Sequence, residues 1–285
     1  MMKIRDVLIG FIVSAVVVGI AVSCGGGSGG ESSPPPVASG NGRGAVVVDT
    51  GTGEITGSVF VSGLSGTPTS VGLYQGAAGA NANPNTSIFD LDLASGTATV
   101  PANKSLTNPQ ITALQANGLY FLVKTTTFPN GEIRGQIDNT ANLTAGLGTL
   151  NAAQEVVAMG QPPVVSGGTG RGTIVANSTT GQIIAGVMTY TGLTTMATAA
   201  HIHVGAAGSN GGIRVNFSPA TAIAIVRDPA VAMDPSVDLP ALTAGNLYFN
   251  VHTGMYGAGE IRGQIAPTTT QEVRSAALTT AQVVP

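Results

Sequence analysis

The chain has 285 residues, long enough for two domains of ordinary size, and only 9% of it is charged, with a formal net charge of −3. No basic stripe interleaved with aromatic side chains is present, which excludes nucleic-acid binding driven by phosphate contacts. There are 41 glycines, no tryptophan and one cysteine, so an intrachain disulfide and a thiolate metal cluster are excluded. Short runs of Val, Ile and Thr between Gly, Asn and Pro clusters indicate an all-β protein.

The chain opens with Lys3 and Arg5 ahead of an apolar run from Val7 to Val22. That run is short for a membrane span and suits the apolar region of a signal segment, so residues 1–23 are expected to be a signal peptide. The "AVSC" that follows, Ala21–Cys24, resembles the bacterial lipobox, although Ala21 stands where Leu is usual. This implies acylation of Cys24 and attachment to a membrane through the lipid. An uncleaved anchor or an ordinary secretory signal are the rival readings. Residues 24–33 read as a flexible tether, stiffened by Pro34–Pro36.

From there the chain repeats itself. "PPPVASGNGRGAVVV" at Pro34–Val48 lies over "PPVVSGGTGRGTIVA" at Pro162–Ala176, and Arg43 falls on Arg171. The segments Thr50–Leu64 and Ser178–Leu193 each show a turn followed by an apolar-rich strand. Leu119–Thr125 and Leu247–Thr253 are each expected to form the first strand of a hairpin whose second strand is "GEIRGQI", found at Gly131–Ile137 and again 128 residues later at Gly259–Ile265. A period of two puts Glu, Arg and Gln of the heptapeptide on one face and its isoleucines on the other. Glu132, Arg134, Glu260 and Arg262 are therefore expected to be structural, pairing across strands at a sheet edge or capping loop backbone groups. A catalytic carboxylate pair is not expected, because the heptapeptide is the same in both copies.

The copies diverge in two places. "LNAAQEVV" at Leu150–Val157 opens the second copy only, and the final "LTTAQVVP" at Leu278–Pro285 falls in the same 128-residue register. Residues 268–285 therefore resemble the opening strand of a further repeat. The tail is either a loose fragment or a strand that folds back to complete the first repeat.

The second divergence is histidine. All three histidines, His201, His203 and His252, belong to the second copy; Gly72, Tyr74 and Lys124 stand at these positions in the first. His201 and His203 share one face of a strand, and His252 shares a face with Tyr248 and Asn250. If the two strands are neighbours, three imidazoles converge as ligands for copper or zinc. Alternatively they are polar residues at a sheet rim, hydrogen-bonded to loop carbonyls and to Glu155 or Glu260. The His-x-His before a glycine loop is locally similar to copper–zinc superoxide dismutases. No nucleophile elbow, phosphate loop or catalytic triad is present, and no catalytic residue is assigned.

The series "AAQEVV…PPVV", "HIHVGAAGSNGG", "LYFNVHT" and "GEIRGQI" resembles the chordin-type (CHRD) domain, closely over Thr149–Pro267. The resemblance implies CHRD repeats at residues 34–138, lacking histidine, and 147–267, each an immunoglobulin-like or related β-sandwich. It implies a bacterial surface lipoprotein of the cell envelope, at the outer membrane or cell surface. Such a chain would act as a binding or structural module, with a protein partner unspecified and a metal or small redox function as the alternative.

Overall fold

The computed structural model describes residues 36–80, 86–94, 96–226 and 230–284. The expected signal segment, Cys24 and the tether at residues 1–33 lie outside them. The first repeat contains β1 (Asn41–Val48), β2 (Ile55–Ser62), β3 (Pro68–Gln75), β4 (Phe89–Asp90), β5 (Asp92–Ala94), β6 (Thr97–Thr99), helix α1 (Asn108–Gln115), β7 (Leu119–Thr125) and β8 (Ile133–Gln136). The second contains β9 (Leu143–Asn151), β10 (Thr169–Asn177), β11 (Ile183–Thr191), β12 (Ala197–Val204), β13 (Ile213–Pro219), β14 (Ile223–Ile225), helix α2 (Asp238–Thr243), β15 (Leu247–Thr253), β16 (Ile261–Gln264) and β17 (Ala266–Pro267). The last strand is β18 (Glu272–Thr279).

The expected all-β class and the β7–β8 and β15–β16 hairpins are present; all the ladders among the described residues are antiparallel. The immunoglobulin-like sandwich is corrected to barrel-like sheets. In the second repeat β9 bonds to β16 on one side and to β10 on the other, so the order β10-β11-β14-β13-β12-β15-β16-β9 returns to its start. Full closure leaves this ring without a free edge, which removes the liability of unpaired backbone groups.

Among the described residues no strand precedes β1 in the first repeat as β9 precedes β10 in the second. That place is taken by β18, which pairs with β1 over the whole span from Asn41↔Thr279 to Val48↔Glu272 and meets β8 at Arg134↔Thr279. The short 3-10 turns that follow, Ala152–Gln154 and Thr280–Gln282, are matched down to one side chain. Gln154 Oε1 accepts from the backbone of Gln264 at 3.0 Å, and Gln282 Oε1 accepts from Gln136 at 2.9 Å. The C-terminal strand thus completes the N-terminal barrel.

Alternation along β1 and β10 explains their unbroken apolar runs. Val46 and Val48 point into the first barrel and Ile174 and Ala176 into the second, while Ala45, Val47 and Val175 form a separate cluster with Ala145 and Ala185. Each of these strands is apolar on both faces because one face lines its own barrel and the other is buried between the two. Phe60 of β2 reaches across to join the apolar cluster of the second barrel, and Thr173 Oγ1 bonds Thr56 Oγ1 at 2.9 Å. Burying a side chain of Val, Leu or Phe size contributes about 1.5–3 kcal/mol, so the barrels are joined by packing as well as by β18.

Two short helices were not anticipated from the sequence. Helix α1 begins at Thr107, whose backbone donates to Gln110 Oε1 at 2.8 Å, the reciprocal half of a capping box, with Pro109 in the first turn. Ile111 and Leu114 of α1, and Leu239 and Leu242 of α2, pack into the respective barrel cores.

Candidate metal centre

The heptapeptide builds the platform. Its polar face is outside each barrel yet covered by loops, so Glu132 and Glu260 are fully buried and Arg134 and Arg262 nearly so. Of the two structural roles expected for them, capping of loop groups is the one realised. Glu132 accepts from the backbone and hydroxyl of Ser65 (2.6 and 2.8 Å) and from the Thr125 hydroxyl (2.6 Å). Glu260 accepts from the backbone and hydroxyl of Thr194 (both 2.7 Å), Thr253 (2.7 Å) and Ser166 (2.6 Å). Burial alone would raise both carboxyls, but these donors outweigh it and hold them below the ordinary glutamate value.

Arg134 donates to the carbonyl of Ala77 at 3.0 Å and lies 3.8 Å over the ring of Tyr120. Arg262 donates to Ala206 and Ser209 at 3.0 and 2.9 Å and lies 3.5 Å over Tyr248. In both barrels the tyrosine carries one further ring. In the first it is Tyr74, stacked on Tyr120 at 5.5 Å and 17°. In the second it is His203, stacked on Tyr248 at 5.0 Å and 9°.

The expected neighbouring of the two histidine strands is present. β12 pairs with β15, setting His201 opposite Asn250, His203 opposite Tyr248 and Ala199 opposite His252. The ring centroids of the three histidines stand 4.9–5.8 Å apart, and each offers a nitrogen within 4.8 Å of the others.

Hydrogen bonds assign the tautomers. A carbonyl can only accept, so His203 Nδ1 donates to Gly211 O (3.0 Å) and His252 Nδ1 donates to Gly257 O (3.1 Å). In a neutral ring the Nε2 of each then carries the lone pair. His203 Nε2 is buried and has no partner among the described residues. His252 Nε2 lies 3.1 Å from His201 Nδ1, which donates to it in the absence of a cation. Anchoring one ring nitrogen on a backbone carbonyl while the other points inward is how metal-ligating histidines are usually oriented.

The rings are also held neutral. Burial, followed by the His252 and His203 neighbours, pushes His201 down to about 4. Burial lowers His203 and His252 too, against the opposing pull of their carbonyl partners. Zinc bound at about 2.0–2.1 Å sets tetrahedral ligand nitrogens roughly 3.4 Å apart. The 3.1 Å pair meets that spacing; the widest pair needs a ring movement of roughly 1.5 Å to reach it. Three neutral imidazoles suit copper or zinc and offer nothing to oxygen-seeking cations such as calcium.

Beside the imidazoles lies a pair that the sequence did not single out as functional. Glu155, which follows the first 3-10 turn, is pushed up to about 7 by burial, partly opposed by Asn250 and Arg262. Asn250 Nδ2 donates to its Oε2 at 3.4 Å. Glu155 Oε1 and Asn250 Oδ1 are buried without partners among the described residues. The close approach requires Gly259, at φ +137°, since a Cβ there would stand 2.5 Å from Asn250 Oδ1 and 2.7 Å from the Glu155 carboxylate. Neither Glu155 nor Glu260 bonds a histidine among the described contacts; the former serves Asn250 and the latter the loop hydroxyls.

In the first barrel the same face is filled. Tyr74, Tyr120 and Leu122 form an apolar cluster, and a Cβ on Gly72 would stand 2.6 Å from the Tyr74 ring. Lys124 Nζ lies 5.7 Å over that ring.

No curated protein and no solved structure matches the chain. The family model for the CHRD domain matches it twice, at residues 27–137 and 148–265. The first match takes in β1 to β8 and the second the end of β9 with β10 to β16, together well over half of the sequence, so the chain belongs to the CHRD-domain family as a tandem-repeat member.

Proposed function

We propose that the second barrel binds one copper or zinc ion on His201, His203 and His252, and that the chain presents this site at the bacterial envelope, tethered through acylated Cys24. The observation that carries the reading is the convergence of three ring nitrogens within 4.8 Å, with two rings anchored by carbonyls so that their lone pairs face inward. An imidazole whose bare Nε2 is buried without a partner costs free energy unless something binds it.

A bound copper or zinc ion supplies Lewis acidity, and copper supplies one-electron chemistry as well. The chain's own part is to orient the rings through Gly211 and Gly257, to stack His203 on Tyr248, and to keep the imidazoles unprotonated. Glu155 is linked to the histidine strands through Asn250, and a carboxyl that ionises close to neutrality offsets the charge of a cation held by three neutral ligands. The first barrel serves as structural partner. This favours storage or display of metal over turnover, with a protein contact through the loops as the further use of the envelope location.

Metal analysis of the purified full chain tests the reading. One equivalent of copper or zinc is expected in the parent, and none in His203→Ala or His252→Ala. A parent chain that takes up no metal overturns it. For the tether, Cys24→Ser is expected to move the protein from the membrane fraction to the soluble envelope fraction; unchanged membrane association overturns acylation.

A further inference from the structure

Methionine follows the same partition as histidine. After Met1 and Met2, every methionine of the chain (Met159, Met188, Met196, Met233 and Met255) lies in the second repeat. Met188 and Met233 are core residues of its barrel. The other three are conspicuously exposed, at 100% for Met159, 74% for Met196 and 65% for Met255.

Two of the three stand at the strand end where His252 lies. Met196 immediately precedes Ala197, which pairs with Thr253, and Met255 follows two residues beyond Thr253. Met255 is three positions on from His252, a reach of at most about 11 Å along the backbone. The first barrel has Thr67 and Thr127 at the two positions, and there Thr126 N bonds Thr67 O at 3.0 Å, which places the two segments side by side. Hydroxyls thus occupy the barrel without imidazoles and thioethers the barrel with them.

Met159 lies on a segment attached to the same surroundings at both ends. Val156 O accepts from Asn210 at 2.7 Å, next to the Gly211 that orients His203. Val165 O accepts from the Tyr256 hydroxyl at 2.8 Å, next to the Gly257 that orients His252. The loops that hold the imidazoles therefore also hold the third thioether.

A thioether has little affinity for zinc or Cu(II) beside imidazole, but it is a soft ligand that selects Cu(I). We propose, resting on the metal reading above, that the second barrel is loaded with Cu(I), captured at the exposed thioethers of Met196 and Met255, with Met159, and passed to the three histidines. The transfer is a ligand exchange with no electron moved: Cu–S bonds break as Cu–N bonds form. His201 Nδ1 gives up its proton while Nε2 takes one, so the ring stays neutral and its lone pair turns to the metal.

The test is the loading rate of the full chain from a Cu(I)–bicinchoninate complex, compared with loading by Zn(II). Replacing all three residues (Met159→Leu, Met196→Leu, Met255→Leu) is expected to slow Cu(I) uptake about tenfold, with the final one-to-one stoichiometry and the Zn(II) rate unchanged. Leucine keeps the apolar bulk and removes only the sulfur. Parent-like Cu(I) uptake by this variant, with uptake still lost in His203→Ala, overturns the thioether route and leaves the histidine site standing. Equal slowing of Cu(I) and Zn(II) also overturns it, since a general change in access would then be the cause. A parent chain that binds neither metal overturns both this proposal and the reading on which it rests.

Discussion

Two barrels in one chain share a scaffold, and their chemical differences include one patch of one face. Both keep the buried glutamate with its hydroxyl donors, the arginine over the tyrosine ring, and the glutamine from the 3-10 turn that bonds the closing hairpin. The differences fall together: His201, His203, Asn250, His252 and Glu155 in the second barrel stand where the first has Gly72, Tyr74, Leu122, Lys124 and Val283. The first barrel-like sheet packs its own core without the polar set, so the fold does not require it. The shared residues hold the architecture, and the five that change together are free to carry chemistry.

The largest expected effect comes from breaking the scaffold where it is unequal. Deleting residues 272–285 removes β18, and with it buried Ala276 and Leu278 and the pairing along all of β1. Burial of Leu278 alone is worth about 1.5–3 kcal/mol, and an open barrel exposes a long edge. Cooperative unfolding of the first barrel is expected to disappear from a thermal scan, while the second still melts. A scan that retains both transitions would show that β18 is dispensable.

Next in size are the shared carboxylates. Glu132→Gln and Glu260→Gln each replace a buried acceptor of several donors, and each is expected to cost about 2–4 kcal/mol. Denaturant titration should find the two losses similar. A loss confined to Glu260 would tie that residue to the metal centre instead of the frame.

Smaller still is the effect of giving the second barrel the first barrel's residue. His203→Tyr recreates the first barrel's tyrosine stack and leaves Asn250 on Glu155, and the stability of the metal-free chain should change by less than about 1 kcal/mol. Metal uptake should vanish. A loss of several kcal/mol in the metal-free chain would mean that the histidines are structural after all.

The smallest effect is a pH dependence. His201 has its folded value near 4, below the ordinary 6.5, so the unfolded chain binds the proton first. Its contribution is present above about 6.5 and is lost as the pH falls through about 4. Glu155, raised to about 7, has the opposite sign: its contribution is complete below the ordinary glutamate value and is lost as the pH rises through about 7. Glu155 offsets His201 over most of this range, but His203 and His252 are lowered in the same direction as His201, so the melting temperature of the metal-free chain should climb between pH 4 and 6.5. Glu155→Gln should steepen that climb by removing the opposing group; an unchanged slope would show that Glu155 titrates as it does in solution.

Much of this was legible in the sequence, for reasons that particular residues make plain. Alternation in "LYFLVKT" and "LYFNVHT" marks the hairpin strands because one face of each must enter an apolar core. The i, i+2 spacing of His201 and His203 could be projected onto one face, and the second histidine motif supplied the neighbour. Closure into a barrel could not be read, because nothing in the local pattern of β9 says that it bonds on both sides. Arg134 and Glu132 resemble edge residues on paper, since the loops that bury them come from 54 to 93 positions away in the chain and leave no mark in the heptapeptide itself. Helix α1 did carry a signal, Thr107 with Pro109 and Gln110, which a search for capping boxes would have found. Glu155 lay hidden because its burial depends on a glycine, Gly259, that reads as part of a turn.

The contrast between the barrels is tested most directly by X-ray absorption at the zinc edge of the zinc-loaded full chain. Three imidazole nitrogens at about 2.0–2.1 Å, with one zinc per chain, are expected. A shell made mainly of oxygen, or zinc held undiminished in His203→Tyr, would contradict the assignment of the metal to the three histidines together.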